Sequence, residues 1–253
     1  MRRTIRNITI GFTALLVIGC GQNKTEEQIA EIQKQLTIEG DTTIYGLACD
    51  GCNDTIIVYL QSPYMGSDPD TLNILEATRS HHIFGHPRIG DKVAIMRNDS
   101  DATVADIVIV IEDLQAEWCY KVRPSLRQRA GMDETNLLTL PDSLRKRLFM
   151  EREYGIHLKS DGTALPIGMM RRGGTSDEES PVVYPELRRY FEWHIFNGQL
   201  VLQTSRTDST GVKSFMVSDT ADIVMITPDT LVLRFSDHEQ AYYKRMVAEE
   251  PQN

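Results

Sequence analysis

Beyond its first twenty residues the chain has no apolar run long enough to cross a bilayer, so no internal membrane span is expected. Catalytic signatures are missing too. There is no Gly-x-Ser-x-Gly, no phosphate-cradling glycine loop, no His-Glu-x-x-His and no acid pair in a recognisable setting, which reads as a protein that is not an enzyme. Basic residues are scarce: 27 Lys and Arg stand against 36 Asp and Glu, a formal charge of −9. An acidic surface repels phosphate backbones and anionic lipid, which argues against nucleic acid as a partner and against a polybasic membrane patch. The remainder is ordinary. With 41% apolar and 25% charged residues, 253 residues describe a folded body that needs no metal merely to fold, and no cofactor is expected.

The chain opens with MRRTIRN, carrying Arg2, Arg3 and Arg6, then runs through ITIGFTALLVIG to Cys20. A charged start ahead of an apolar segment too short for a stable span reads as an export signal. The closing residues Leu16-Val17-Ile18-Gly19-Cys20 resemble the lipobox of bacterial lipoproteins, with Val17 where leucine is commoner. The resemblance implies a signal peptide over residues 1–19 and Cys20 acylated, palmitate included, as the first mature residue. It places the chain in the bacterial cell envelope at the outer membrane, lipid-anchored without crossing it. Loss of residues 1–19 takes three arginines and leaves 24 basic against 36 acidic residues, a net charge near −12.

Residues 20–40 read as a polar tether with a short amphipathic helix, since Ile29, Ile32 and Leu36 recur at helical spacing. Residues 41–113 then alternate in short β-branched runs, TTIYGLA, TIIVYLQ, DTLNILEA, KVAIMRN and VADIVIVIEDL, separated by turn-forming clusters. Five such strands suggest a small closed or half-open barrel. The phrase RIGDKVAIMRN looks like the start of a strand in many OB-fold domains, so the expected fold is a five-stranded OB-like barrel serving as an interaction or spacer module.

From Trp118 the texture changes. Two helical stretches are expected, one around MDETNLLTL with Asp133 as N-cap, and one over PDSLRKRLFM, opened by Pro141 or Asp142. Hairpins follow. Asn197-Gly198 in YFEWHIFNGQLVLQ demands a two-residue turn, which pairs Phe196 with Gln199, Ile195 with Leu200, His194 with Val201 and Trp193 with Leu202. Alternation then turns Trp193, Ile195, Leu200 and Leu202 inward, and Glu192, His194 and Gln203 outward. In YGIHLKSDGTALPIG, Tyr154, Ile156 and Leu158 face inward, with a turn at Asp161-Gly162. In IVMITPDTLVLRF, Leu231, Leu233 and Phe235 do so, with a turn at Pro228-Asp229. An antiparallel meander of this kind loses its edges by closing into an up-and-down barrel.

On Trp118, GIHLKSDGTA, FEWHIFNGQLVL and MITPDTLVLRF, the last half of the chain resembles the lipocalin-like domains of many bacterial lipoproteins. The resemblance implies a mainly β chain with a lipocalin-like barrel over residues 114–247, one or two short helices and a tail over residues 248–253. It also implies an interior that holds a small apolar molecule, lined by Trp118, Tyr154, Ile156, Trp193, Ile195, Leu200 and Leu233, and no shared catalytic residue. In architecture the chain is also similar to an envelope-stress lipoprotein family with copper and surface-adhesion responses. That family combines a lipocalin-like barrel, an OB-like domain and a Cys-x-x-Cys; here the order is reversed and only Cys49 and Cys52 match the motif.

Cys49 and Cys52 flank Asp50-Gly51. A type I′ turn there would set them directly opposite, about 5.5 Å apart at Cα and within disulfide reach. A structural or labile disulfide is the leading reading in an oxidising envelope, with a redox couple and a metal half-site as alternatives. The metal reading takes Cys49 and Cys52 with His82 and His86 from HHIFGHPRIG, a set suited to zinc or copper; no metal site is assigned. Cys119 should face away from Trp118 as a small buried hydrophobe. The loop RRGGTSDEESP, residues 171–181, is expected to be solvated. Three functions compete: a ligand- or partner-binding envelope lipoprotein, a redox- or metal-responsive module centred on Cys49 and Cys52, and an accessory subunit of a surface assembly touching another envelope protein.

Overall fold

The computed structural model describes residues 38–62, 68–127, 141–168, 181–207 and 213–246. The lipobox with Cys20, the helix expected over residues 29–36, MDETNLLTL with Asp133, and the loop 171–181 apart from Pro181 lie outside the described residues. The fold is mainly β, in two sheets that each curl toward closure. Among the described residues no helix is long and apolar enough to cross a membrane.

The first sheet contains β1 (Ile44–Ala48), β2 (Ile56–Gln61), β3 (Asp70–Asn73), β4 (Ile83–Phe84), β5 (Lys92–Arg97) and β6 (Ala105–Val110), ordered β3-β2-β1-β5-β6-β4. Asn73 closes the ring through a parallel bridge to Val104, its N–H donating to the Thr103 carbonyl at 2.9 Å. Five long strands in this order, with the helix α1 (Leu75–Arg79) after the third, make the OB-like barrel. Its interior is tight and mostly aliphatic, with Ile57, Val93, Ile95 and Val108 and the one tyrosine Tyr59 at 0% exposure.

Three details depart from the sequence reading. DTLNILEA is not one strand, because the Asn73 side-chain oxygen accepts the Leu75 N–H at 2.9 Å and turns the chain into α1. A sixth strand is present: the two-residue β4, which pairs in parallel with β6. The strand expected through VADIVIVIEDL stops at Val110, where the single helical turn α2 (Ile111–Leu114) leads into the second sheet.

That sheet comprises β7 (Glu117–Val122), β9 (Arg152–Leu158), β10 (Ala164–Ile167), β12 (Glu192–Phe196), β13 (Gln199–Thr207), β14 (Lys213–Ile226), β15 (Thr230–Arg234) and β16 (Glu239–Lys244). β8 (Ser125–Leu126) and β11 (Val182–Val183) form a separate pair. Within the eight, each strand pairs antiparallel with the next, and β16 returns to β7. Between β10 and β12 the seam is held by a Thr163–Glu192 bridge, with the Trp193 N–H on the Gly162 carbonyl at 2.8 Å and the Ala164 N–H on the Phe191 carbonyl at 2.9 Å. The result is a nearly closed up-and-down barrel.

Turn chemistry fixes its register as the sequence predicts. Asn197 (φ 48°) and Gly198 (φ 73°) form the two-residue turn, and Trp193–Leu202, His194–Val201, Ile195–Leu200 and Phe196–Gln199 are the pairs. Ile226 pairs with Leu231 around the turn at Pro228-Asp229, and Leu158 pairs with Ala164. β7 and β9 run so close at the Cys119–Gly155 pair that a Cβ on Gly155 would collide with the Trp118 carbonyl oxygen. The helix α3 (Asp142–Leu148) starts after Pro141 as expected and is held by an Arg145–Asp142 pair at 2.6 Å, but Leu144 is exposed and none of its side chains is buried.

Both barrels belong to one compact unit that starts at Gly40. The β12–β13 tip docks on the small barrel: the Asn197 N–H donates to Asp41 Oδ1 at 3.0 Å, and Asn197 Oδ1 accepts the Thr42 N–H at 2.8 Å. The Tyr45 hydroxyl lies 2.7 Å from the Ile195 carbonyl and 2.9 Å from Asp41 Oδ2. Burial works against the charge on Asp41, but hydrogen bonds from Thr43, Asn197 and Tyr45 outweigh it and hold the carboxyl below its usual range.

Candidate functional site

Strand direction distinguishes the two ends of the larger barrel. The start of β7 and the turns β9–β10, β12–β13 and β14–β15 share one end; the end of β7, the start of β9, and the β13–β14 and β15–β16 connections share the other. At the first end the interior is packed. Trp118, Leu158, Ala164, Leu200, Leu231 and Leu233 are 0% exposed and form one cluster with Trp193 and Ile195. The two indoles are anchored, Trp118 Nε1 donating to the Leu114 carbonyl at 2.8 Å and Trp193 Nε1 to the Lys159 carbonyl at 2.9 Å. Satisfied donors and full burial make this end a floor.

Toward the second end the interior becomes aromatic and polar. Tyr120 lies two residues after Trp118 on the same face, and its ring meets Tyr154 edge-on at 6.3 Å and Tyr242 edge-on at 5.4 Å. Burial pushes the Tyr120 hydroxyl pKa up, with Tyr154 adding to it; burial raises Tyr242 likewise, with Tyr120 and Tyr190 adding. Tyr190 is raised by burial and by its hydrogen bond to Asp219.

Charged groups border this layer. Arg152 shares the inward face of β9 with Tyr154 and Ile156, and its guanidinium lies 3.5 Å from the Tyr184 ring centre. Asp219, paired with inward Leu202, accepts from the Tyr190 hydroxyl at 2.6 Å and from Arg188 Nη1 at 2.7 Å. The arrangement offers aromatic walls, phenol hydroxyls and a guanidinium at the rim. Such a surface holds an apolar or flat body by its faces and orients a polar head.

The seven residues read from the sequence as ligand-lining are all buried: Trp118, Tyr154, Ile156, Trp193, Ile195, Leu200 and Leu233. Six of them belong to the packed cluster, which also takes in Tyr190 and Tyr242 and has Tyr120 packed against it, while Tyr154 meets Tyr120 edge-on. Sequence reasoning missed Tyr120, Tyr190, Tyr242, Arg152 and Asp219. Two of these carried a usable signal, since Tyr120 and Arg152 are each two residues from an inward aromatic. Asp219 needed the β14 register, which no turn motif announces.

The cysteine pair departs from its expected geometry. Of the two turn residues only Gly51 has positive φ, at 97°, so no type I′ turn forms. Strand pairing ends at Ala48–Tyr59, and the Cys49 N–H donates to the Val58 carbonyl at 2.8 Å, so Cys49 lies across from Val58 and Cys52 lies within the loop. The loop is held by Asn53, whose side-chain oxygen accepts the Thr55 N–H at 2.9 Å and the Thr55 hydroxyl at 2.6 Å. Cys52 Sγ is 3.3 Å from the Val58 carbonyl, and both cysteines are free and half-buried. The directly opposed pair that would favour a disulfide is thus not formed.

The weak metal set is not assembled either. Cys52 and His86 border one cleft, while His82 Nδ1 is 3.2 Å from Ser80 Oγ and its ring leans on Phe84. Among the described residues no group of three or more His, Cys, Asp or Glu side chains is placed to hold a metal ion. Cys119 is fully buried opposite Trp118, as read, and burial pushes its thiol pKa up to about 11.

No protein-family model and no curated protein matches the chain. Among solved structures, a lipocalin-like protein from Bacteroides thetaiotaomicron VPI-5482 is similar, with 18% identity, a TM-score of 0.28, and coverage of 53% of this chain and 97% of that one.

Proposed function

We propose that this protein is a non-enzymatic binding protein of the bacterial cell envelope, lipid-anchored at Cys20 to the outer membrane, whose larger barrel takes one small amphiphile. The carrying observation is the tyrosine layer above a sealed floor inside an eight-stranded barrel. A barrel of that size is just wide enough to be filled by its own side chains or to hold one small ligand. At the floor, side chains fill it; at the layer of Tyr120, Tyr154 and Tyr242 the interior carries phenols and approaches Arg152. The ligand's apolar part rests on the rings and its acceptor or anionic head faces Arg152.

Calorimetric titration of the purified full chain with decanoate tests this reading. Saturable one-to-one binding is expected, weakened about tenfold by Arg152→Gln, the loss of one charge-assisted contact. Absence of binding up to millimolar decanoate, or unchanged affinity in both Arg152→Gln and Tyr154→Leu, overturns it.

A further inference from the structure

A second cleft lies outside the larger barrel, on the seam where the OB-like barrel meets β14–β16, with a volume of about 790 Å³. Its size falls within the ~300–1,000 Å³ range of small-molecule sites. One wall is the small barrel's Ile74, Ile83 and Phe84; the other is Val224, Met225 and Val232. That second wall exists because β14 carries a bulge: the register shifts between Ile223 and Met225, so two adjacent apolar side chains turn to the outer surface where plain alternation would present one. Met225 is 43% exposed there.

The polar lining has one sign. Asp54 and Glu239 border the cleft with His81 and His86, and no Lys or Arg lines it. Glu239 is shared with Arg234 at 3.2 Å, whereas Asp54 enters no ion pair among the described residues. Behind His86, its N–H donates to the Asp113 carboxylate at 2.9 Å, adding a third acid to the neighbourhood.

His81 is held at a conformational cost. It follows α1 at φ 61°, the left-handed position at a helix end that favours glycine. The His81 N–H donates to the Thr78 carbonyl at 3.2 Å and the His82 N–H to the Ala77 carbonyl at 2.8 Å, the pattern that closes such an end. A glycine would close it with less strain, yet the chain places an imidazole here, bordering the cleft.

We infer that this seam is a second binding site, and that its ligand is a small cationic amphiphile: an apolar chain or ring between Phe84 and Met225, and an ammonium-type head taken by Asp54 beside His81 and His86. Charge complementarity selects the head, since the lining carries carboxylates and no Lys or Arg, and the Arg234 guanidinium is already held by Glu239. This preference is opposite to that of the barrel mouth, where Arg152 favours an acceptor or anion.

The test uses the purified full chain with methyl-labelled methionine, the Met225 signal being assigned by Met225→Leu, and two probes of equal chain length, n-decylammonium and decanoate. Decylammonium is expected to shift the Met225 methyl saturably, at least tenfold tighter than decanoate at this signal, and Tyr154→Leu is expected to leave that binding unchanged. Asp54→Asn with Glu239→Gln should weaken it about tenfold, and His81→Gly should weaken it while holding or raising the unfolding midpoint, which a purely structural histidine would not do. A Met225 methyl unmoved by decylammonium, an equal response to decanoate, or His81→Gly binding as well as the parent overturns the inference. Failure of the barrel reading would show instead as loss of decanoate binding with the Met225 response intact.

Discussion

The two barrels solve the same closure problem with different interiors. The OB-like one is filled mainly by aliphatic side chains around Ile57, Val93, Ile95 and Val108, all fully buried, with one buried phenol, Tyr59, whose hydroxyl accepts from Arg97. The larger one is apolar at one end, and toward the other its core takes in Tyr120, Tyr154, Tyr190 and Tyr242, with Asp219 holding Tyr190 and the exposed Arg188. An eight-stranded barrel is wide enough to be filled by its own side chains or to hold one small ligand. The proposed binding role therefore rests on the end of the larger barrel that carries these tyrosines, and the β12–β13 tip at the opposite end docks on the smaller barrel.

Core truncations should break the comparison most sharply. Ile95→Ala in the small barrel and Leu200→Ala or Leu233→Ala in the floor should each cost about 2–5 kcal/mol by urea denaturation, whereas Tyr154→Phe and Tyr242→Phe, which keep the ring, should cost under about 1.5 kcal/mol and act mainly on decanoate affinity. If the two phenol substitutions are as costly as the floor cavities, the tyrosine layer is ordinary core. Gly155→Ala comes next, at about 3 kcal/mol or more, because the added Cβ meets the β7 backbone, which no rotamer change relieves.

At the joint, Gly198→Ala forces a side chain onto φ 73° and sets its Cβ 2.9 Å from Met96 Cγ, at an expected cost of about 1–3 kcal/mol seen in the thermal midpoint. Asp41→Asn should cost about 1 kcal/mol, roughly that of one such hydrogen bond. The folded Asp41 pKa lies below its unfolded value, so its contribution is present above the unfolded pKa near 3.8 and is lost as pH falls through the lower folded value. Asp41→Asn should therefore flatten the acid limb of the stability profile.

The smallest effect concerns thiols. Half-buried Cys49 and Cys52 should label under native conditions and Cys119 only after unfolding. With its folded pKa raised to about 11, the Cys119 contribution to stability is full below the unfolded value near 9 and declines as pH rises through 11.

Much of this fold was legible because its turns are chemically explicit. Asn197-Gly198 and Pro228-Asp229 fix registers, and period-two alternation then decides which residues face inward. Where a side chain overrides the local pattern, the reading failed. Asn73 accepts the Leu75 N–H and ends an apparent strand just before α1, and Asn53 holds a long loop where Asp50-Gly51 suggests a tight turn. The floor was legible as a list of inward apolar residues, but whether such residues pack together or surround a guest depends on depth along the barrel, which alternation does not encode. The tyrosines were missed because their neighbours are far apart in sequence: Tyr120 and Tyr154 pair across β7 and β9, Tyr242 comes from the adjacent β16 and Tyr190 from the segment before β12, and no turn motif announces those pairings.

The central claim, that the larger barrel is a floor below and a receptor above, is tested most directly by a crystal structure of the chain soaked with decanoate. Density is predicted among Tyr120, Tyr154 and Tyr242 with the carboxylate toward Arg152, and an unchanged floor at Trp118 and Leu233. Tyrosine rings closed on one another with no guest between them, or decanoate lodged below them among the floor residues, would contradict it.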